Sequence, residues 1–353
     1  MILWVNKCYC PNYFIPEHNM FRGKINADNN KILIIVLNKI KCDGIHGLIH
    51  SCFQYENEHH SLLSTKLEPS FIRLDLLFYR ISDSSNGVLY NISSCLKSLE
   101  FIEYLLKSKS CAFIVDVCKW HQAKANQFAA QRLPSPTVTT ERYNIHKRYH
   151  RHLQDGIKAD AVSGWVLYAS FYYVTGQFNV TLRLTEYVLS RCSPDMVLIG
   201  CQNYDDVHIN YYRNRVHSTM TIQEKMRIAV VNQVTYLQHS SLIPKELQVM
   251  VKNVEMRIYP IFMSYCLRFL CYHHVGDILN RQHALHDLFS TLKQRNLISS
   301  NTLSHSLTIL GICCEVIDDK DTAYQCYDRA LQCDGYICAT AEVRRSKLLT
   351  DLI

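Results

Sequence analysis

The densest group of metal-ligand residue types in the chain is Cys266, Cys271, His273 and His274. Zinc needs about four converging ligands, usually at short spacing, yet no C-x-x-C step occurs anywhere in the sequence. On a helix Cys266 and Cys271 would point to different faces, so the group reads as core thiols beside capping or exposed histidines. Asp319-x-Asp321 is the nearest local approach to the paired carboxylates that magnesium chemistry requires. It falls in a turn between two expected helices, where acidic residues favour the positive end of the second. Histidines and cysteines are too numerous for any one nucleophile and base to stand out. With 11 glycines and no glycine-rich phosphate loop, no dinucleotide or nucleotide cofactor is implied. No catalytic, metal or cofactor-binding residue is therefore assigned.

Two basic groups could bind rather than react. Arg142, His146, Lys147, Arg148, His150, Arg151 and His152 alternate with Tyr143 and Tyr149, a pattern able to engage phosphates and stack on bases. As a helix this segment is expected to spread charge around most faces, which equally suits a solvated connector. Anion or nucleic-acid contact through Lys147, Arg148 and Arg151 is the minor reading. Arg213 and Arg215 could grip a carboxylate bidentately, but a structural salt bridge to Asp205 or Asp206 is the expectation.

The chain that positions these residues has 353 residues, 48% hydrophobic and 20% charged, a globular composition with room for two or three domains. Its net charge of 38 − 31 = +7 is too small to mark a dedicated nucleic-acid binder. The 16 cysteines lie mostly in apolar runs and read as reduced core residues. No signal-peptide pattern opens the sequence. The longest aliphatic run, residues 32–37, is far short of the ~20 residues that span a bilayer. A cytoplasmic or nuclear protein without membrane contact is expected, which leaves the sequons at Asn91 and Asn179 without weight.

Helical signals dominate. Leu96, Leu99, Ile102 and Leu105 or Leu106 share one face, with Glu103 and Lys107 paired at i, i+4 on another. A second helix includes residues 120–131, and the Pro/Thr stretch 133–140 interrupts it as a linker. Thr221-x-x-Glu224 has capping-box spacing, Pro244 suits a first helical turn, and Ser299-Ser300 precedes Leu303, Leu307, Leu310 and Cys314 at helical spacing. The expected organisation is an all-α chain with a first region at 1–60, a helical connecting region at 61–132, the linker at 133–140 and a helical region at 141–353.

The most specific internal pattern is Leu307-x2-Leu310-Gly311-x2-Cys314 followed by Ala323-x3-Tyr327-x2-Ala330, which resembles a tetratricopeptide repeat. Gly311 and Ala323 would let two helices approach, Tyr327 would fill the space between them, and Ala330 would seat the next helix. A weaker copy runs from Trp165 through Tyr172, turns at Gly176-Gln177-Phe178 and continues through Leu182, Tyr187 and Leu189. Thr181 and Val188 stand there where the pattern prefers alanine. Residues 262–292 form a third, degenerate pair with Gly276, Ala284 and Leu288, whose connecting loop reads about three residues too long. A generic α-bundle would bury the same positions.

Asn12-Tyr13-Phe14-Ile15-Pro16-Glu17-His18-Asn19-Met20-Phe21-Arg22-Gly23-Lys24 resembles a segment in the helical half of the male-abnormal-21 (Mab-21-like) family, relatives of the cyclic GMP-AMP synthases. Asp160-Ala161-Val162-Ser163-Gly164-Trp165, Cys192-Ser193-Pro194-Asp195-Met196 and Tyr212-Arg213-Asn214-Arg215-Val216-His217 look like the helical extension of expanded members. The resemblance implies a partial Mab-21-like helical domain followed by tetratricopeptide-like antiparallel helix pairs, with residues 2–7 as the remnant of a preceding helix. Catalytic relatives carry a glycine-serine step and paired acidic residues upstream of this segment, and no Gly-Ser dipeptide occurs here. The resulting expectation is a non-enzymatic helical interaction or scaffold protein that binds a peptide or protein partner. The alternative is a fragment of a cyclic GMP-AMP synthase-like nucleotidyltransferase acting in nucleic-acid sensing and innate immunity.

Overall fold

A computed structural model describes residues 70–83, 92–107, 112–136, 142–200, 204–293, 300–333 and 337–351. The expectations for residues 1–60, including the segment 12–24 and the run 32–37, lie outside the described residues. Of the described residues 72% are helical and 4% are in strands, so the chain is all-α. The helices are α1 (Ser70–Asp83), α2 (Ile92–Lys107), α3 (Ala112–Gln131), α4 (Arg142–Gly156), α5 (Ser163–Val174), α6 (Phe178–Arg191), α7 (Asp206–Arg213) and α8 (Ile222–Ala229), then α9 (Pro260–Val275), α10 (Ile278–Lys293), α11 (Ser300–Val316), α12 (Lys320–Leu331) and α13 (Ala339–Asp351). Between α8 and α9 lie a 3-10 helix, Lys245–Val251, and the antiparallel strands β3 (Val234–Tyr236) and β4 (Met256–Ile258), with Val234 opposite Ile258. The short strands β1 (Val197–Leu198) and β2 (Val230–Val231) precede them.

The described residues fall into two compact units, one drawn from Met1–Ala125 and Val197–Val230, the other from Asn126–Met196 and Val231–Ile353. In the first, Ile72, Leu76 and Tyr79 recur at helical spacing on α1 and pack with Trp120, Val197, Tyr204, Tyr212 and Met226. Helix α8 begins with the expected capping box. The Thr221 hydroxyl accepts from the Glu224 N–H at 3.2 Å, while the Glu224 carboxylate accepts from the Thr221 N–H at 2.8 Å. The expected Glu103–Lys107 pair on α2 is present at 3.0 Å and largely solvent-exposed, where such pairs contribute only a few tenths of a kcal/mol.

The second unit is built from consecutive helix hairpins, α5–α6, α9–α10 and α11–α12, with α9 packed against α5, α6 and α11 as well as its own partner. Each hairpin turns where its sequence demands. Gly176 and Gly276 take φ of +77° and +80°, the left-handed conformation that glycine enters without steric cost. The loop of the third pair is short, contrary to the expected excess. Asp277 follows Gly276 directly and its carboxylate accepts the Asn280 N–H at 3.1 Å, so α10 begins at Ile278. Asp319 likewise caps α12 through the Thr322 N–H at 3.1 Å, which accounts for the acidic turn.

Side-chain amides and carboxylates close the remaining backbone. Asp160 is buried and accepts from the Val162 and Ser163 N–H groups at 2.9 and 2.7 Å, capping α5, and from Asn232 N–H at 2.9 Å. Gln131 extends strand β3 like an added peptide unit: its amide NH2 donates to the Thr235 carbonyl at 2.9 Å and its oxygen accepts the Leu237 N–H at 2.9 Å. The described part of the Pro/Thr stretch is fastened to α4 through Tyr149, whose hydroxyl bonds the Pro134 carbonyl at 2.9 Å and Ser241 Oγ at 2.7 Å. Pro244 precedes the 3-10 helix as its cap residue rather than opening an α-helix.

The α11–α12 contact is close because Gly311 lacks a side chain. A Cβ there would lie 2.5 Å from Cε1 of Tyr327, a buried ring whose hydroxyl donates to Glu315. Gly311→Ala is therefore expected to lower unfolding free energy by about 1–3 kcal/mol, the range for overpacking a core. Gly164→Ala is expected to cost more, since its Cβ would meet the backbone of Ile157 at 2.5 Å and backbone cannot swing aside. Urea denaturation of both variants checks the order. A pH effect arises at His305, which burial holds down at about 4 against an ordinary 6.5. The unfolded chain binds this proton more readily, so stability is full above about 6.5 and declines as pH falls from there to about 4, by up to about 3 kcal/mol. His305→Phe is expected to flatten that decline in urea titrations between pH 7 and 4.5.

Candidate functional site

Three groups of residues could do more than pack. The first is buried in the first unit. Asp75 and Lys225 form an ion pair at 2.7 Å with side chains only 6% and 5% exposed. Tyr212 donates its hydroxyl proton to Asp75 at 2.9 Å. The 2.8 Å contact between the Tyr79 and Tyr212 hydroxyls must then run from Tyr79 to Tyr212, since Tyr212 has already committed its hydrogen. Burial raises the Asp75 carboxyl, opposed by the Lys225 charge, and pushes both tyrosines up. The pair is thus enclosed by the α1, α7 and α8 side chains, and its chemistry is that of a desolvated charge held by hydrogen bonds. Nothing in the sequence points to it, because its members lie more than 100 positions apart and each is an ordinary residue of an amphipathic helix. Removing one partner leaves an uncompensated buried charge, which costs about 3–5 kcal/mol.

The second group is α4. Its buried side carries Ile145, Tyr149 and Leu153 at i, i+4 and i+8, and its histidines turn inward. His146 Nε2 donates to the Pro136 carbonyl at 2.9 Å, and His152 Nδ1 meets Asn126 Oδ1 at 2.7 Å. His150 Nδ1 meets the Tyr168 hydroxyl at 2.6 Å. Burial lowers His150 and His152, so both favour the neutral ring. Lys147, Arg148 and Arg151 are exposed. Among the described side chains, the fixed cations Lys147, Arg148 and Arg151 therefore share one outer side of the helix instead of spreading around most faces, as the sequence suggested. The histidines are consumed by internal bonds.

The third group is the hairpin packing residues. Ala323, Tyr327 and Ala330 are buried on α12, and the Tyr327 ring lies against Gly311. Trp165 is half-buried, edge-on to Tyr187 at 5.0 Å. Thr181, at an alanine position, is buried and donates to the Ala169 carbonyl at 3.2 Å across the hairpin, which explains how a hydroxyl is tolerated there.

The remaining candidates take structural places. Cys266 and Cys271 are both buried although they point to different faces of α9, because neighbours cover that helix on several sides. His274 Nε2 lies 3.0 Å from the Tyr173 hydroxyl and 3.1 Å from Glu246 Oε1, its ring stacked on Phe178 at 5.2 Å. Arg213 donates to Asn210 at 3.1 Å, Arg215 lies 4.2 Å above the Tyr211 ring, and Asp205 caps α7 by accepting the His208 N–H at 3.0 Å. Among the described residues, no group of three His, Cys, Asp or Glu side chains could hold a metal ion, and no helix is long and apolar enough to cross a membrane. No family model, curated protein or solved structure matches the chain.

For the buried pair, Lys225→Met is expected to lower stability by about 3–5 kcal/mol, with Asp75→Asn in the same chain restoring most of it. Double-mutant analysis of urea unfolding measures the coupling. A Lys225→Met cost below about 1 kcal/mol would place the pair in the weak, solvated class.

Proposed function

We propose that this chain is a non-catalytic helical interaction protein, derived from the helical half of a Mab-21-like protein, that binds a peptide or protein partner. The observation that supports this reading is the lateral packing of consecutive hairpins, α9 lying against α5, α6 and α11 in addition to α10. Serial helix pairs create surfaces longer than one pair offers, with the outer residues of successive helices available to an extended ligand. The small and aromatic residues at hairpin contacts, Gly311, Ala323, Tyr327 and Ala330 on one pair and Trp165 and Gly176 on another, serve the scaffold rather than the ligand. The polar groups inside the unit, Asp160 and Gln131 foremost, are engaged in capping and strand extension.

Selection of displayed peptides against the full chain tests this. A selected peptide is expected to bind saturably at one-to-one stoichiometry, with hydrogen-exchange protection confined to the outer faces of α5, α6 and α9–α12. Protection only outside those helices, or formation of a cyclic dinucleotide from ATP, GTP and magnesium with double-stranded nucleic acid, would overturn the reading.

A further inference from the structure

We propose that the outer face of α4 is a binding site for single-stranded nucleic acid. Tyr143, Lys147 and Arg151 follow one another at i, i+4 and i+8 along this face, with Arg148 beside them, and all four are exposed, Tyr143 by 78%. Neighbours in such a row are about 6 Å apart along the axis, from a rise of about 1.5 Å per residue. None of the three cations is engaged by a carboxylate among the described residues. The next acidic group along the row, Asp155, is taken by Lys158 at 2.6 Å, so it does not cancel the face.

The composition of this face selects among polyanions. A strand of nucleic acid requires fixed cations for its phosphates and an aromatic plane for a base, but no apolar groove. An anionic membrane would favour an amphipathic helix with a free apolar side, and the apolar side of α4 is spent on Ile145, Tyr149 and Leu153 inside the protein. An acidic helix from a partner would need apolar positions to bury beside its charges, and the row offers only the Tyr143 ring. The inward histidines also matter: they leave the face to lysine and arginine, the side chains that pair with phosphates.

Fluorescence anisotropy of a labelled 20-nucleotide mixed-sequence single strand with the full chain tests the site. Binding is expected to weaken with salt at a log–log slope of about −2, from about −0.7 for each of three phosphates engaged. Lys147→Gln/Arg148→Gln/Arg151→Gln is expected to lose most of that slope and at least about tenfold in affinity. Tyr143→Ala is expected to weaken binding about tenfold while leaving the slope unchanged, the signature of lost stacking rather than lost charge. Each variant is checked for an unchanged thermal unfolding midpoint, and substitution of exposed side chains is expected to preserve it. Four results overturn the proposal: equal affinity of the charge variant; indifference to Tyr143→Ala; tighter binding of a duplex of the same sequence; or displacement of the strand by polyglutamate at equal charge concentration.

Discussion

Helix α9 is covered on so many sides that the second unit can exist only if its neighbours come close without clashing. Phe262, Met263, Leu267, Phe269 and Leu270 are buried around much of its circumference, with Ser264, Cys266 and Cys271 between them. Those small residues are what close packing around a central helix requires, since bulky side chains at every position would hold the surrounding helices apart. The serine causes no penalty because its hydroxyl donates to the Pro260 carbonyl one turn back at 2.8 Å. Helices α5, α6, α10 and α11 are set by this constraint, and the hairpin turns at Gly176 and Gly276 follow from having to return along the same axis.

Several buried polar groups of the second unit follow a common rule. A buried donor or acceptor left without a partner costs about 1–3 kcal/mol, and at these places side chains substitute for backbone partners. Asp160 caps a helix and also holds Asn232, while Gln131 supplies a donor and an acceptor to strand β3. Ser304 accepts the Cys338 N–H at 2.9 Å and donates to the Ala330 carbonyl at 2.8 Å, joining the end of α12 to the start of α13. Arg344 and Arg345 of α13 then reach Glu315 and Asp328 at 2.8 and 2.7 Å. The last helix is thereby attached to the preceding hairpin by directed bonds as well as apolar contact.

The same rule divides α4 into a structural and a free side. His146 donates to the Pro136 carbonyl on the inner flank, whereas a guanidinium or ammonium placed there would have to lose its hydration. Lysine and arginine consequently remain outside. Charge segregation on this helix is a by-product of what burial tolerates, and it leaves fixed cations together with an exposed tyrosine.

Some features were legible in the sequence because they are local. The capping box at Thr221, the acidic turn at Asp319, the Glu103–Lys107 pair and the close contact of Gly311 depend on spacings of a turn or two, or on one glycine and one aromatic at hairpin distance. The all-α class followed from helical periodicity in the same way. What the sequence could not reveal was pairing across long separations. Asp75 with Lys225, Gln131 with β3 and Asp160 with Asn232 join residues whose own neighbourhoods carry no sign of the partner, and only the folded chain brings them within hydrogen-bonding distance. The short loop at Gly276 and the one-sided charge of α4 belong with them. Both depend on which surfaces are buried, and burial is a property of the packed helices rather than of any one segment.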